Sequence, residues 1–223
     1  MTRPTPALRL SLPGRWHELP LGTDDEIRAD VAAFVREHYG RRDDQATLRA
    51  QQRDRLGEAA RRARDAGATQ YHLSVSMPGD LALATAVAEY RPGLALGAAI
   101  EPAAVADRLV RVLAPGEDGG HWERLAASGG VVFERDAKSG AGIVVRTERR
   151  LESASPDDAP TAVADYWLTV PGAASVVLVS FTTALADLAP VLVELFDAIV
   201  GAAEWATAGR SLRSELAGSE TAG

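Results

Sequence analysis

With 223 residues, 46% hydrophobic and 25% charged, the chain is long enough for one large domain with a real core and too apolar to stay disordered. A formal net charge of −7 opposes the phosphate attraction behind most non-specific nucleic-acid affinity, so neither DNA nor RNA is an expected partner. The lack of cysteine excludes disulfides, thiolate nucleophiles and thiolate-held metals together.

Leu8, Leu10 and Leu12 alternate with Arg9 and Ser11, which predicts a half-buried strand over 7–12, stopped by Pro13 and Gly14. Thr23 and Glu26 stand at capping-box spacing before Ile27, Val31, Phe34, Val35 and His38 on one helical stripe, closed by Gly40. A second helix is predicted over 43–66, with a narrow stripe of Leu48, Leu56, Ala59, Ala63 and Ala66. Tyr71, Leu73, Val75 and Met77 read as a strand, turned by Pro78 and Gly79 toward a second strand through Leu81, Leu83 and Val87. The alanines at 82, 84, 86 and 88 keep helix open for that second segment. Pro102 opens a helix carrying Val105, Leu109, Val112 and Leu113 on one stripe, and Pro115 with Gly116 closes it. Strand-like runs follow at 131–135, 142–151, 161–170 and 174–182, and their short Gly, Pro, Ser and Asp links favour antiparallel neighbours. A last helix is expected with Asp187 as cap and Pro190 in its first turn, burying Leu188, Leu192, Leu195, Phe196 and Ile199.

These elements imply one α+β domain over 1–206, an antiparallel sheet with helices packed on both faces, followed by a flexible tail over 207–223. The longest apolar run, 184–203, is broken by Asp187, Pro190, Glu194 and Asp197, so no membrane helix is expected. Pro4, Pro6 and Arg9 interrupt the N-terminal stretch where a secretory signal would need a continuous apolar run. Arginine replaces lysine everywhere except Lys138, and alanine is abundant. Together these features suggest a cytoplasmic protein of a GC-rich bacterium.

Catalytic and cofactor signatures are missing. Lys138 follows Ala137, so no phosphate-binding Gly-Lys-Ser/Thr exists, and Gly140-Ala141-Gly142 precedes a strand where anion binding needs a helix N-terminus. His17, His38, His72 and His121 lie far apart and form no helical metal-binding pair. His38 reads as a core or helix-end residue and His72 as solvated. Asp24-Asp25 and Asp43-Asp44 suit helix starts and Asp157-Asp158 a loop, although paired carboxylates can also divide acid and base roles. Arg49, Arg53, Arg61, Arg62 and Arg64 interleave with Asp54, Glu58 and Asp65, with Glu58 and Arg62 at i, i+4 spacing; a solvated, salt-bridged face accounts for them. No catalytic, cofactor, metal or partner-binding residue is assigned on these grounds, and no cofactor is expected.

Asp165-Tyr166-Trp167-Leu168-Thr169-Val170-Pro171-Gly172, the strand from Val176 to Phe181, and the helix through Leu195-Phe196-Asp197-Ala198-Ile199 to Trp205 resemble the closing strands and helix of the PsbP-like fold. That superfamily includes a photosystem extrinsic subunit, a yeast Ran-binding import factor and actinobacterial LpqN-type lipoproteins. The resemblance covers about the last quarter of the chain. It implies an antiparallel sheet with helices on both faces and a non-catalytic role in binding another protein. The chain departs from the lipoprotein members in lacking a lipidation cysteine and in its helices between Thr23 and Ala66. A small-molecule-binding protein or hydrolase with a pocket outside known motifs is the alternative. In the strand over 161–170, Ala164, Tyr166, Leu168 and Val170 share one side and Asp165, Trp167 and Thr169 the other, so Trp167 is either core beneath a Thr23 or Asp43 helix or an exposed interface residue.

Overall fold

The computed structural model describes residues 6–39, 46–76, 84–116, 119–135, 142–152 and 160–206. In chain order these hold strands β1 (Leu8–Arg9) and β2 (Arg15–Glu18), helices α1 (Asp24–His38) and α2 (Ala46–Asp65), and strands β3 (Ala68–Ser76) and β4 (Thr85–Tyr90). Helices α3 (Pro102–Leu113) and α4 (His121–Ala127) precede strands β5 (Val131–Arg135), β6 (Gly142–Leu151), β7 (Thr161–Thr169) and β8 (Val176–Thr183). A 3-10 turn at Ala186–Leu188 then leads into helix α5 (Ala189–Gly201) and strand β9 (Glu204–Trp205).

Seven strands make one sheet in the order β2-β3-β4-β8-β7-β6-β5, with every neighbouring pair antiparallel. The α+β architecture expected from hairpin-linked strands is therefore the one observed. The alanine-rich segment before Tyr90 is strand, because Val87 and Ala88 each bury a different face of the sheet against a different layer.

On the front face, α5 buries Leu192, Val193, Phe196, Ile199 and Val200 against Val87, Val144, Tyr166, Leu168, Val177, Val179 and Phe181. Phe196 stacks on Phe181 with ring centroids 4.3 Å apart, and Tyr166 meets Phe181 edge-on at 5.7 Å. Strands β1 and β9 form a separate two-stranded sheet over one end of this layer, placing Leu8 in the same cluster. The strand predicted over 7–12 is thus reduced to two residues, and Trp205 pairs with Leu8.

The back face carries two helical layers. Helices α1 and α2 cover Tyr71, Leu73 and Ala88 at the β3–β4 side, while α3 and α4 pack on Val145, Val176 and Trp167 at the β6–β8 side. The capping box at α1 forms as predicted: the Glu26 N–H donates to Thr23 Oγ1 at 3.3 Å and the Thr23 N–H to Glu26 Oε2 at 2.7 Å.

Several sequence expectations are corrected. Helix α2 buries Gly57, Ala60 and Ala63 and leaves Leu48 and Ala66 exposed, because the side it lays on α1 and β3 is centred on Ala60 and Ala63, away from both ends of the expected stripe. In α3, Val105, Ala106, Leu109 and Val110 are buried and Val112 is exposed. Asp187 does not cap α5: with Pro190 in the first turn, a 3-10 turn intervenes and Leu188 occupies the cap position, itself exposed and not buried. Strand β2 and helix α4 were not anticipated. Gly40, Asp43, Asp44, Met77, Pro78, Gly79, Leu81, Leu83, Lys138, Gly140, Asp157, Asp158 and the tail over 207–223 lie outside the described residues.

Candidate functional site

Side-chain size along β7 creates a hollow. Tyr166 and Leu168 on the front face are large and prop α5 away from the sheet, whereas Ala162 and Ala164, two steps earlier on the same face, leave the start of the helix standing over a low floor. The result is a pocket of ≈ 320 Å³ between α5 and the ends of β6, β7 and β8. Ala162, Ala164 and Thr183 line its floor, Ala186, Pro190, Val193 and Phe196 its helical wall, and Glu148 and Arg150 its outer edge. A second hollow of ≈ 240 Å³ lies on the other side of the 3-10 turn, lined by Pro160, Ala184, Leu185, Asp187 and Leu188, and shares Ala186 with the first.

Charge is confined to the rim. Arg150 Nη2 lies 3.1 Å from Asp187 Oδ1, tying the end of β6 to the 3-10 turn across the mouth. Deeper along α5 the Tyr166 hydroxyl donates to Asp197 Oδ1 at 2.8 Å, and Arg146 pairs with the other oxygen of Asp197. Burial, reinforced by the neighbouring Asp197 carboxylate, raises the Tyr166 hydroxyl well above the ordinary tyrosine range, so it serves as a fixed donor. Thr183 in the floor accepts the Leu185 N–H at 3.1 Å, which holds the start of the turn. Among the described residues the lining contains no histidine, and its apolar walls suit a compact aliphatic or aromatic group.

At the start of α5, Leu188, which lines the second hollow, is 53% exposed and Val191 is 68% exposed. Three residues apart, they lie on one side of the helical turn.

The histidines singled out in the sequence serve as local ties between elements. His17 Nε2 lies 2.6 Å from Asp30 Oδ2, joining β2 to α1, and its ring tilts against Phe34. His38 is exposed at the end of α1, stacked on Phe34 and bonded through Nδ1 to the Phe34 carbonyl at 2.9 Å, so its helix-end reading holds and its core reading does not. His72 is half-buried, not solvated, and burial lowers its ring below the usual histidine range. His121 is buried: its Nε2 faces Asp107 Oδ1 at 2.9 Å and its Nδ1 the Gly119 carbonyl at 2.7 Å. This tie between α3 and α4 was missed because 14 residues separate the pair and no periodic signal links them. Asp24 and Asp25 open α1, where Asp24 accepts from Arg64 of α2 at 2.6 Å; Glu58 and Arg62 form the expected helical pair at 3.0 Å. On the back face the buried Asp165 accepts from Ser180 at 2.5 Å and from Arg149. Among the described residues no three His, Asp or Glu side chains gather to hold a metal, and no helix is long and apolar enough to cross a membrane.

No protein-family model matches the chain, and neither does any curated protein. The pocket beneath α5 and its apolar rim are therefore the ground on which a function is argued.

Proposed function

We propose that the chain is a non-catalytic binding module whose protein partner seats an apolar side chain in the pocket beneath α5 and lays its neighbouring residues across Leu188 and Val191. The observation that carries this reading is the pair of exposed apolar side chains, Leu188 and Val191, at the start of the helix that walls the pocket. A small molecule filling the ≈ 320 Å³ hollow would leave Leu188 and Val191 in water, whereas a polypeptide covers both. The rim charges are already paired with one another, as in Arg150 with Asp187, so apolar fit outweighs charge in choosing the occupant. The PsbP-like resemblance of the last quarter supports a binding role. Cytoplasmic action in a GC-rich bacterium belongs to the same proposal and rests on composition alone.

The test compares affinity capture by the unaltered chain with capture by Val191→Glu at the rim, Ala164→Leu in the floor, and Arg53→Ala on exposed α2 as control. A specific partner should be retained by the control and lost by both pocket variants, with affinity reduced roughly tenfold or more as expected for a central interface residue. A partner bound equally by all four proteins would refute the assignment. Thermal stabilisation by a free apolar compound that Ala164→Leu abolishes, with no partner captured, would transfer the pocket to small-molecule binding.

A further inference from the structure

The two edges of the sheet differ in how they are guarded. Strand β2 is short, carries exposed Arg15 and Glu18, bulges between Arg15 and Trp16, and lies between Pro13 and Pro20, all devices that discourage pairing with another strand. Strand β5, though also short and carrying an exposed Glu134, has no bulge and no flanking proline among the described residues. Its sequence is Val-Val-Phe-Glu-Arg, preceded by two glycines, with Val131 39% and Val132 40% exposed on opposite sides of the strand. Among the described residues no strand pairs with its outer side.

The backbone polarity of that edge follows from the next strand. The Ile143 N–H donates to Thr169 Oγ1 at 2.9 Å, toward β7, so the backbone groups of Ile143 turn away from β5. Its partner Glu134 therefore sits in a non-hydrogen-bonded pair, and so does Val132 two residues earlier. The N–H and C=O groups of Val132 and Glu134 point outward.

We propose that β5 is a self-association edge, where two copies of the chain pair antiparallel about a two-fold axis at Phe133 and join their sheets. In this register Val132 and Glu134 of one copy exchange N–H···O bonds with Glu134 and Val132 of the other, so all four outward groups on each strand are satisfied. Phe133 meets its own copy in the close non-hydrogen-bonded position, covering the part of its ring that the core leaves open. Neither charge meets its like: Glu134 faces Val132 and Arg135 faces Val131. The five-residue strand is only about 17 Å long, so the contact falls below the roughly 1,200 Å² of a stable complex and the dimer is weak. Each copy carries a net charge of −7, so the dimer strengthens as salt screens their repulsion.

Sedimentation of the full chain from about 10 μM to about 1 mM, at low and high salt, tests this. The expected result is a monomer–dimer equilibrium that shifts toward dimer with concentration and salt. Val132→Lys should weaken it by at least about tenfold without moving the thermal midpoint. Hydrogen exchange of the unaltered chain gives an independent readout, with the amides of Val132 and Glu134 gaining protection at high concentration. A monomer throughout, a dimer indifferent to Val132→Lys, or a dimer abolished by Val191→Glu with no protection at β5 would each overturn the proposal. The last would assign association to the rim of the α5 pocket, and failure to find a partner there leaves the β5 result unaffected.

Discussion

Helix α5 covers the front of the sheet with Leu192, Val193, Phe196, Ile199 and Val200 and carries two acidic residues, Glu194 and Asp197. Helix α2, on the back, buries only Gly57, Ala60 and Ala63 among many arginines and acids. A stripe of alanine and glycine removes little apolar area from water, and the back layers are fastened by polar ties as well: Arg64 to Asp24, His17 to Asp30 and His121 to Asp107. The front layer is held chiefly by area and ring packing. The contrast also explains the pocket, since a helix apolar on nearly every side is expected to be buried on nearly every side, and the start of α5 is not.

The largest effect that would sharpen this comparison is on the front. Phe196 is buried and stacked on Phe181, with the ring planes 9° apart. Phe196→Ala should cost about 3–5 kcal/mol in chemical denaturation. A loss below about 1 kcal/mol would show that the front does not depend on that stack.

Trp167 is the corresponding probe of the back and should respond less. It packs, half-buried, against the cluster of α3 and α4, so the cover comes from neither the Thr23 helix nor the second helix expected over 43–66. Its indole Nε1–H is buried without a hydrogen-bond partner among the described residues, which offsets part of what the ring contributes. Trp167→Ala should cost about 2 kcal/mol, and Trp167→Phe, which keeps ring contact and removes the unpartnered donor, less than half of that. Equal losses for the two substitutions would break this account of the back face.

The front was the more legible face in the sequence, for a physical reason. Tyr166, Leu168, Val177, Val179 and Phe181 alternate at period two, and Leu192, Phe196 and Ile199 recur at helical spacing, so both partners of the interface announce themselves locally. On the back, the helices with a cap at Thr23 or a proline start at Pro102 were legible, as were helix α2 from its long polar stripe pattern and β3 from the alternation of Tyr71 and Leu73, but the ties between them were not. Strand β2, Arg-Trp-His-Glu, has no apolar alternation, and α4 spans too few turns to show a stripe. The pocket was not readable at all. It depends on Ala162 and Ala164 lying opposite the start of α5, and the register that places them there is a tertiary property.

The smallest expected effect concerns acid. Asp107 is held down to about 2, first by its hydrogen bond with His121 and further by Arg111 and Trp122. Because its folded value lies below the ordinary 3.8, it stabilises the folded chain above about pH 4 and loses that contribution as pH falls toward 2. Asp24 is shifted the same way by Arg64, so two of the ties on the back face weaken in one window. The front has polar ties of its own, Asp197 with Tyr166 and Arg146, but rests chiefly on apolar area, and the raised Tyr166 hydroxyl stays protonated throughout. With its side chain 34% exposed, Asp107 is partly screened by solvent, and its share of stability is less than about 1 kcal/mol. Hydrogen exchange followed downward from neutral pH should therefore show amides of α3 and α4 losing protection before those of α5, and Asp107→Asn should flatten the acid limb of the melting curve. If α5 opened first, or if Asp107→Asn left the acid limb unchanged, the division between an area-held front and a tie-fastened back would be wrong.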